Sequence, residues 1–277
     1  MDYKNITFIG GGNMASSLIG GLLATGTPAR SLQVIDTESN PLAAQFPINC
    51  HTDYTHALRS EVVVLAVKPQ QMANAIKHLT ESLPINETHT CPLIISVAAG
   101  IRLDSLTQWL GIANAPLVRV MPNTPSLVGS GAAALFANVH TSAEQRATAE
   151  AILRAVGLTV WLDSEAQMDA VTALSGSGPA YFFLFMELLE QVGVDLGLSQ
   201  ETARLLTLQT AFGAAKMALE SADNAATLRA RVTSPGGTTE QAIAVLQQGG
   251  LSALLHQALH AAQQRSITLA EQLGEKQ

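Results

Sequence analysis

Ile6-Thr7-Phe8-Ile9-Gly10-Gly11-Gly12-Asn13-Met14-Ala15 is the stretch that decides how this chain reads. A short apolar run meets a G-x-G-x-x-A string, and a long helical pattern follows. Strand, glycine loop and helix in that order turn a weak glycine motif into a dinucleotide-binding fingerprint. Gly10 permits the tight turn, and Gly12 lets a pyrophosphate come close to the backbone. Ala15 is small enough for the helix to lie near the strand. The free N–H groups at the helix start, from Asn13 and Met14 onward, then face the phosphates. The expectation is a bound nicotinamide or flavin dinucleotide.

Strands and helices alternate outward from this motif. The first helical pattern runs from about Gly12 to Thr25, and Val34-Ile35 ends a second strand. Val62–Val67 and Leu93–Val97 are continuous apolar runs, as expected of parallel strands covered on both faces. Leu117–Val120, Ala132–Phe136 and Thr159–Leu162 follow, with helical patterns at Gln70–Leu83 and Ser142–Val156. This alternation implies a Rossmann-type, doubly wound, mostly parallel sheet. After about Asp163 the strand signal stops. Helical patterns take over at Ala180–Leu196, Ser199–Ser221, Thr239–Gln248 and Leu251–Glu271. We therefore expect a dinucleotide-binding domain over residues 1–162 and an all-α domain over 163–277. Gly197 and Ser199 fit as a helix stop and the next helix start.

The 277 residues suit two domains and a sizeable core. Hydrophobic residues make up 47% and charged residues 13%, which argues against disorder and leaves much apolar surface to hide. A large subunit interface is the expected outlet, and Ala-rich helices such as Thr210–Ala215 would allow close approach. The formal charge of −7 gives no electrostatic case for nucleic acid. The most apolar stretch, Tyr181–Met186, is broken by Glu187 and Glu190, so no membrane span is expected. Met1-Asp2-Tyr3-Lys4 leads straight into the first strand without a signal-peptide pattern. Cys50 and Cys91 stand far apart, which fits free thiols in a reducing cytoplasm.

Asp36 ends the second strand, where an acid commonly accepts from the adenine ribose hydroxyls and repels a 2′-phosphate. By charge, the segment Asp36-Thr37-Glu38-Ser39-Asn40 leans toward NAD; Thr37, Ser39 and Asn40 are candidate phosphate donors. The third and fourth strands lead into Ala66-Val67-Lys68-Pro69 and Ala98-Ala99-Gly100, at the carboxyl edge where ligands of such sheets bind. Lys68 is placed to approach the cofactor ribose or phosphates; a solvated lysine at a helix start is the plainer account. Pro69 fits a first helical turn. The small residues Ala98–Gly100 would let nicotinamide pack against backbone.

Candidates for the chemistry are fewer. The histidines (51, 56, 78, 89, 140, 256 and 260) fall in no Gly-rich or polar cluster, so surface or helix-face roles are expected. No metal-ligand spacing appears, and no metal is expected. Val232-Thr233-Ser234-Pro235-Gly236-Gly237-Thr238-Thr239 opens a helix and offers backbone N–H groups and hydroxyls around a Gly-Gly turn. Such a turn is able to hold a carboxylate without a lysine or arginine. An ordinary capped interhelical loop has the same composition.

With that string a specific resemblance appears. Residues 10–15, Ala66–Pro69, Arg119-Val120-Met121-Pro122-Asn123-Thr124-Pro125, Ala173–Tyr181 and Val232–Thr239 stand in the order and spacing of the pyrroline-5-carboxylate reductases. The resemblance spans essentially the whole chain. It implies reduction of 1-pyrroline-5-carboxylate to L-proline with NAD(P)H, the last step of proline biosynthesis, with NADPH the usual donor and NADH the second candidate. It implies an intertwined homodimer, often built into a larger ring, with each active site shared by two subunits. By resemblance Ser234, Gly237, Thr238 and Thr239 hold the substrate, and Thr239 reaches the imine nitrogen. Met121, Pro122 and Asn123 would line the sheet-side wall, Met121 toward the substrate and the other two toward the cofactor. The chemistry agrees: a cyclic imine takes its proton from water or a weak donor, so hydride transfer needs alignment more than a strong general acid. Two rivals share the glycine motif. β-Hydroxyacid dehydrogenases resemble a pattern in which a lysine and an asparagine on the first long helix of the second domain do acid–base work, and Tyr181–Met186 has no lysine. A non-catalytic NAD(P)-binding sensor would be expected to lose the polar turn, and Ser234, Thr238 and Thr239 are all present.

Overall fold

The computed structural model describes residues 4–37, 42–82 and 91–274. Met1–Tyr3, Glu38, Ser39, Asn40, Leu83 and His89, which the sequence reading touched, lie outside the described residues. Eight strands form one sheet in the order β3-β2-β1-β4-β5-β6-β7-β8. They are β1 (Ile6–Ile9), β2 (Leu32–Ile35), β3 (Asn49–His51), β4 (Val62–Leu65), β5 (Leu93–Ser96), β6 (Leu117–Met121), β7 (Gly131–Ala137) and β8 (Gly157–Trp161). All neighbours run parallel except β6 and β7, which a short 3-10 turn (Thr124–Val128) joins as an antiparallel pair. The sheet is therefore the expected mostly parallel, doubly wound one.

Side-chain alternation explains its two-sided core. Val62 and Val64 of β4 pack with Phe8, Val34, Ile95 and Leu18 on one face. Val63 and Leu65 pack with Ile9, Ile35 and Ile94 on the other. Helices α1 (Asn13–Ala24) and α5 (Ala143–Arg154) cover the first face; α3 (Met72–Ser82) and α4 (Leu103–Leu110) cover the second. Local signals fix several ends. Ser142 and Gln145 form a reciprocal capping box at the start of α5, and Gly111, at φ +66°, ends α4. The sequence reading missed β3, a three-residue edge strand, and the one-turn helix α2 (Leu42–Gln45), both too short for periodicity to register. It also missed α6 (Gln167–Val171), which continues into a π-helical turn over Thr172–Gly176.

The helical part comprises α7 (Gly178–Asp195), α8 (Gln200–Glu220), the short α9 (Ala225–Arg231), α10 (Thr238–Gln248) and α11 (Leu251–Gly274). Two compact units result: Met1–Ser177 with Ala262–Gln277, and Gly178–Ala261. These bounds differ from the 162/163 division read from sequence, because α6, the π turn and the end of α11 pack with the sheet. Met168 is fully buried there, and the Ser266 hydroxyl donates to Asp169 Oδ1 at 2.7 Å. In the helical unit α7 and α8 meet closely enough that a Cβ on Gly193 would lie 3.1 Å from Ala203 Cβ. Gly197, at φ +102°, reverses the chain between them. This unit has almost no interior of its own. Among its residues Ala203 is the only buried apolar one, while Phe182, Phe183, Phe185, Leu188 and Leu189 of α7 are all exposed in the single chain. No helix of the described residues is long and apolar enough to cross a membrane.

Candidate active site

The strand order reverses between the parallel neighbours β1 and β4, and the carboxyl edge there is the switch point at which ligands of this architecture bind. Gly10 leaves β1 at φ +94° and donates its N–H to the Ile35 carbonyl at 2.8 Å. A Cβ there would lie 2.8 Å from Val67 Cγ1 and 3.0 Å from the Ala66 carbonyl carbon, so only glycine fits. Gly12 differs: a Cβ on it would meet nothing within 4 Å. It is the residue before α1, whose first turn carries no side-chain cap. The structure thus leaves open backbone where a phosphate needs it, with the positive end of α1 behind it.

A cavity of about 370 Å³ lies over this loop. Gly10, Gly11, Gly12, Asp36, Ala66, Val67 and Lys68, all picked out from the sequence, line it together. Lys68 is exposed and precedes the short 3-10 turn that Pro69 opens. Asn13 and Met14 begin α1 beside the loop, Met14 packing onto the core. The sequence reading missed Tyr54, Gln71 and Asn74 in the lining. Gln71 and Asn74 follow Lys68-Pro69 on the helical period and were findable; Tyr54 sits in an irregular 3-10 segment without a pattern to mark it. Its phenol is pushed up, first by burial and then by the Asp36 charge. The clear backbone at Gly12, an uncapped helix start and a polar cavity fit the phosphates and ribose of a dinucleotide.

The residues expected along the rest of the sheet edge lie outside this lining, and the structure gives several of them other tasks. Ala98 is buried in the core, and Gly100, at φ +77°, would place a Cβ 3.1 Å from Leu273 Cδ1 of α11. The small size of both therefore serves packing; Ala99 alone of the three is exposed. Pro122 is buried. Asn123 spends its side-chain amide internally: Nδ2 donates to the Ser175 carbonyl at 3.1 Å, and Oδ1 accepts the Ala132 N–H at 2.8 Å. Met121 is half-buried against the π turn, where a Cβ on Gly176 would run into its Cε.

In the helical unit, Ser234–Thr239 form the expected tight turn. Gly236 has φ +71°, Gly237 donates to the Ser234 carbonyl at 3.0 Å, and Gly237 precedes α10 without a side-chain cap. Ser234 and Thr238 are exposed and Thr239 is half-buried. One feature was not foreseen: Glu240 Oε2 accepts the Gly236 N–H at 2.7 Å. That carboxylate is the chain's own and takes one N–H of the turn.

The remaining reactive side chains are plainer. His51 and His56 stack with ring centroids 3.6 Å apart, a pairing the sequence reading did not foresee. Burial, and then His56, push the His51 pKa down against a weaker upward pull from Asp53. Cys50 and Cys91 are free thiols, and burial pushes Cys91 up to about 11, far from thiolate chemistry at neutral pH. Among the described residues no three His, Cys, Asp or Glu side chains group as metal ligands.

A glycine loop at the switch point of a doubly wound sheet, followed along the chain by a helical segment, defines a dinucleotide-dependent oxidoreductase. A family model for NADP oxidoreductase, coenzyme F420-dependent, matches residues 5–100, and one for pyrroline-5-carboxylate reductase dimerisation matches residues 165–269. The chain belongs to the pyrroline-5-carboxylate reductase family. It is 52% identical over 279 residues to the pyrroline-5-carboxylate reductase of Pseudomonas aeruginosa, covering 99% of this chain and 100% of that one. The solved structure of the Coxiella burnetii enzyme superposes with a TM-score of 0.91 at 46% identity, covering 97% of this chain and 99% of that one. The Plasmodium falciparum enzyme, solved with NADP bound, superposes at 0.84 with 28% identity, covering 98% and 99%.

Proposed function

We propose that this protein reduces 1-pyrroline-5-carboxylate to L-proline with NADPH, NADH serving as the weaker donor, and that Thr239 hydrogen-bonds the imine nitrogen. Family membership over the full chain and the exposed hydroxyls of the turn at Ser234–Thr239 support the reading together. The bound cofactor supplies the hydride. Gly12 and the first turn of α1 would hold its phosphates, with Gly11 shaping the loop and Lys68 adding a cation at the cavity edge. Ser234 and Thr238 hold the ring carboxylate on N–H and hydroxyl groups, and Gly237 closes the turn between them. The Thr239 hydroxyl orients the ring nitrogen, which takes its proton without a dedicated acid. Positioning then provides most of the rate.

Residues 1–162 serve the cofactor in this account, and 163–277 serve pairing and substrate. The chain forms a homodimer, and the bare apolar faces of α7 and α8 give the physical reason. We infer further that dimers close into a larger ring and that the protein works in the cytoplasm. The deciding experiment follows NADPH absorbance with 1-pyrroline-5-carboxylate and identifies the product by chiral chromatography. L-Proline at the rate of NADPH loss is expected. Oxidation of 3-hydroxyisobutyrate with NADP⁺, and no turnover of the imine, would reject the reading. Light scattering tests the ring: a mass of one dimer at working concentration refutes it.

A further inference from the structure

Asp36 stands where an acid of this architecture usually meets the ribose, yet its carboxylate turns to the glycine loop. Oδ2 accepts the Gly11 N–H at 2.7 Å. The Asp36 N–H donates to the His51 carbonyl at 3.0 Å, and the Gly10 N–H donates to the neighbouring Ile35 carbonyl at 2.8 Å. The residue is thus fixed by its backbone to β3 and by its side chain to the middle of the loop. That loop is the part of the fold with most freedom to lose: three consecutive glycines, the first at φ +94°. A bond from a backbone N–H to a carboxylate is roughly twice as strong as a neutral one. It suffices to hold Gly11 in one orientation, so that the open side of Gly12 faces the cavity.

We propose that Asp36 is a positioning residue that braces the phosphate loop through the Gly11 N–H, and that its charge does not choose between NADPH and NADH. The inference rests on the cofactor reading above. A carboxylate engaged by the Gly11 N–H commits one oxygen to the loop. Exposed Thr37, which follows it in the cavity wall, adds a hydroxyl donor beside the carboxylate. An acid at the end of β2 is then compatible with NADPH.

Two substitutions separate brace from charge. Asp36→Asn removes the charge and keeps a carbonyl oxygen for Gly11; Asp36→Ala removes both. Dissociation constants for NADPH and NADH are measured on the intact protein by nucleotide fluorescence. Asp36→Asn is expected to leave both within about threefold of wild type, and Asp36→Ala to weaken both by about tenfold, the scale of one lost charge-assisted hydrogen bond. The NADPH-to-NADH ratio stays within about threefold in both variants, well short of an unscreened charge effect at contact distance. A larger shift of that ratio in either variant, equal losses in both, or unchanged binding in Asp36→Ala overturns the brace. Should Asp36→Ala not fold, hydrogen exchange decides: a slow Gly11 amide in wild type and in Asp36→Asn supports the brace, and a fast one in wild type overturns it. Wild-type protein that binds neither nucleotide would reject the cofactor reading itself, with the Gly11 exchange rate still reporting on the brace.

Discussion

Gly10 and Gly12 are two residues apart and answer to different constraints. At Gly10 the left-handed backbone and the wall formed by Ala66 and Val67 exclude any side chain. Gly10→Ala is expected to cost about 1–3 kcal/mol from backbone strain alone, before the clash, and to lower the thermal midpoint. Gly12→Val meets open space, so it is expected to fold with an unchanged midpoint and lose NADPH binding in a fluorescence titration. Thr239→Ala is expected to lower kcat by about tenfold or more, since it removes the hydroxyl proposed above to orient the imine. Stopped-flow single turnovers check this, and an unchanged rate removes Thr239 from the chemistry. His51 carries a prediction in pH. Its folded pKa lies below the ordinary value of 6.5, so the unfolded chain binds the proton more readily. Its stabilising contribution is complete above pH 6.5 and is lost as pH falls through the lower folded value. The urea midpoint should fall as pH drops through that window, and His51→Gln should flatten the dependence. At this scale the sequence showed Gly10 and Gly12 clearly, because their motif has local context. It did not show that Gly100 is small for Leu273, or that the Asn123 amide and Glu240 carboxylate have partners within the chain. Those contacts join residues that only the fold brings together.

Among the elements, long helices and buried parallel strands were legible because their periods persist over whole turns or whole runs. The π turn at Thr172–Gly176 was not, since one extra residue per turn leaves no periodic trace over five positions. Its place is set by neighbours: Met121 fills the space over Gly176, and Asn123 holds the Ser175 carbonyl. A second junction lies at Glu165. Its Oε1 accepts Arg119 Nη1 of β6 at 2.8 Å and the Leu103 N–H that begins α4 at 2.9 Å. The Arg119 side chain is only 5% exposed, so it relies on this partner. Glu165→Ala strands a buried guanidinium and frees a helix start, which should cost about 3–5 kcal/mol by urea denaturation. Glu165→Gln keeps an oxygen for Leu103 and is expected to lose less. Equal losses in the two variants would show that the helix start contributes little.

Composition already announced at the level of the whole molecule that apolar surface exceeded what one chain hides. The sequence did not say where the surplus lay, because helices buried by a second chain read like helices of a core. The structure puts it on α7 and α8, where Phe182 and Phe183 remain 66% and 62% exposed in the single chain. Each such ring is worth about 1.5–3 kcal/mol once covered. The thermal midpoint should therefore rise with protein concentration, as for any fold completed by association. Phe183→Asp should shift the sedimentation profile toward monomer and lower the midpoint; a dimer of undiminished stability would place the contact elsewhere.

The near absence of an interior in the Gly178–Ala261 unit has a consequence for inheritance. In a two-fold pairing each side chain of that face enters the contact from both copies, so one altered codon is felt twice. A change that is mild in a self-contained core is doubled here. Repair is doubled too: a single compensating residue restores both halves at once. Such a surface should drift slowly and in linked steps, while solvent-facing positions around the sheet vary one at a time.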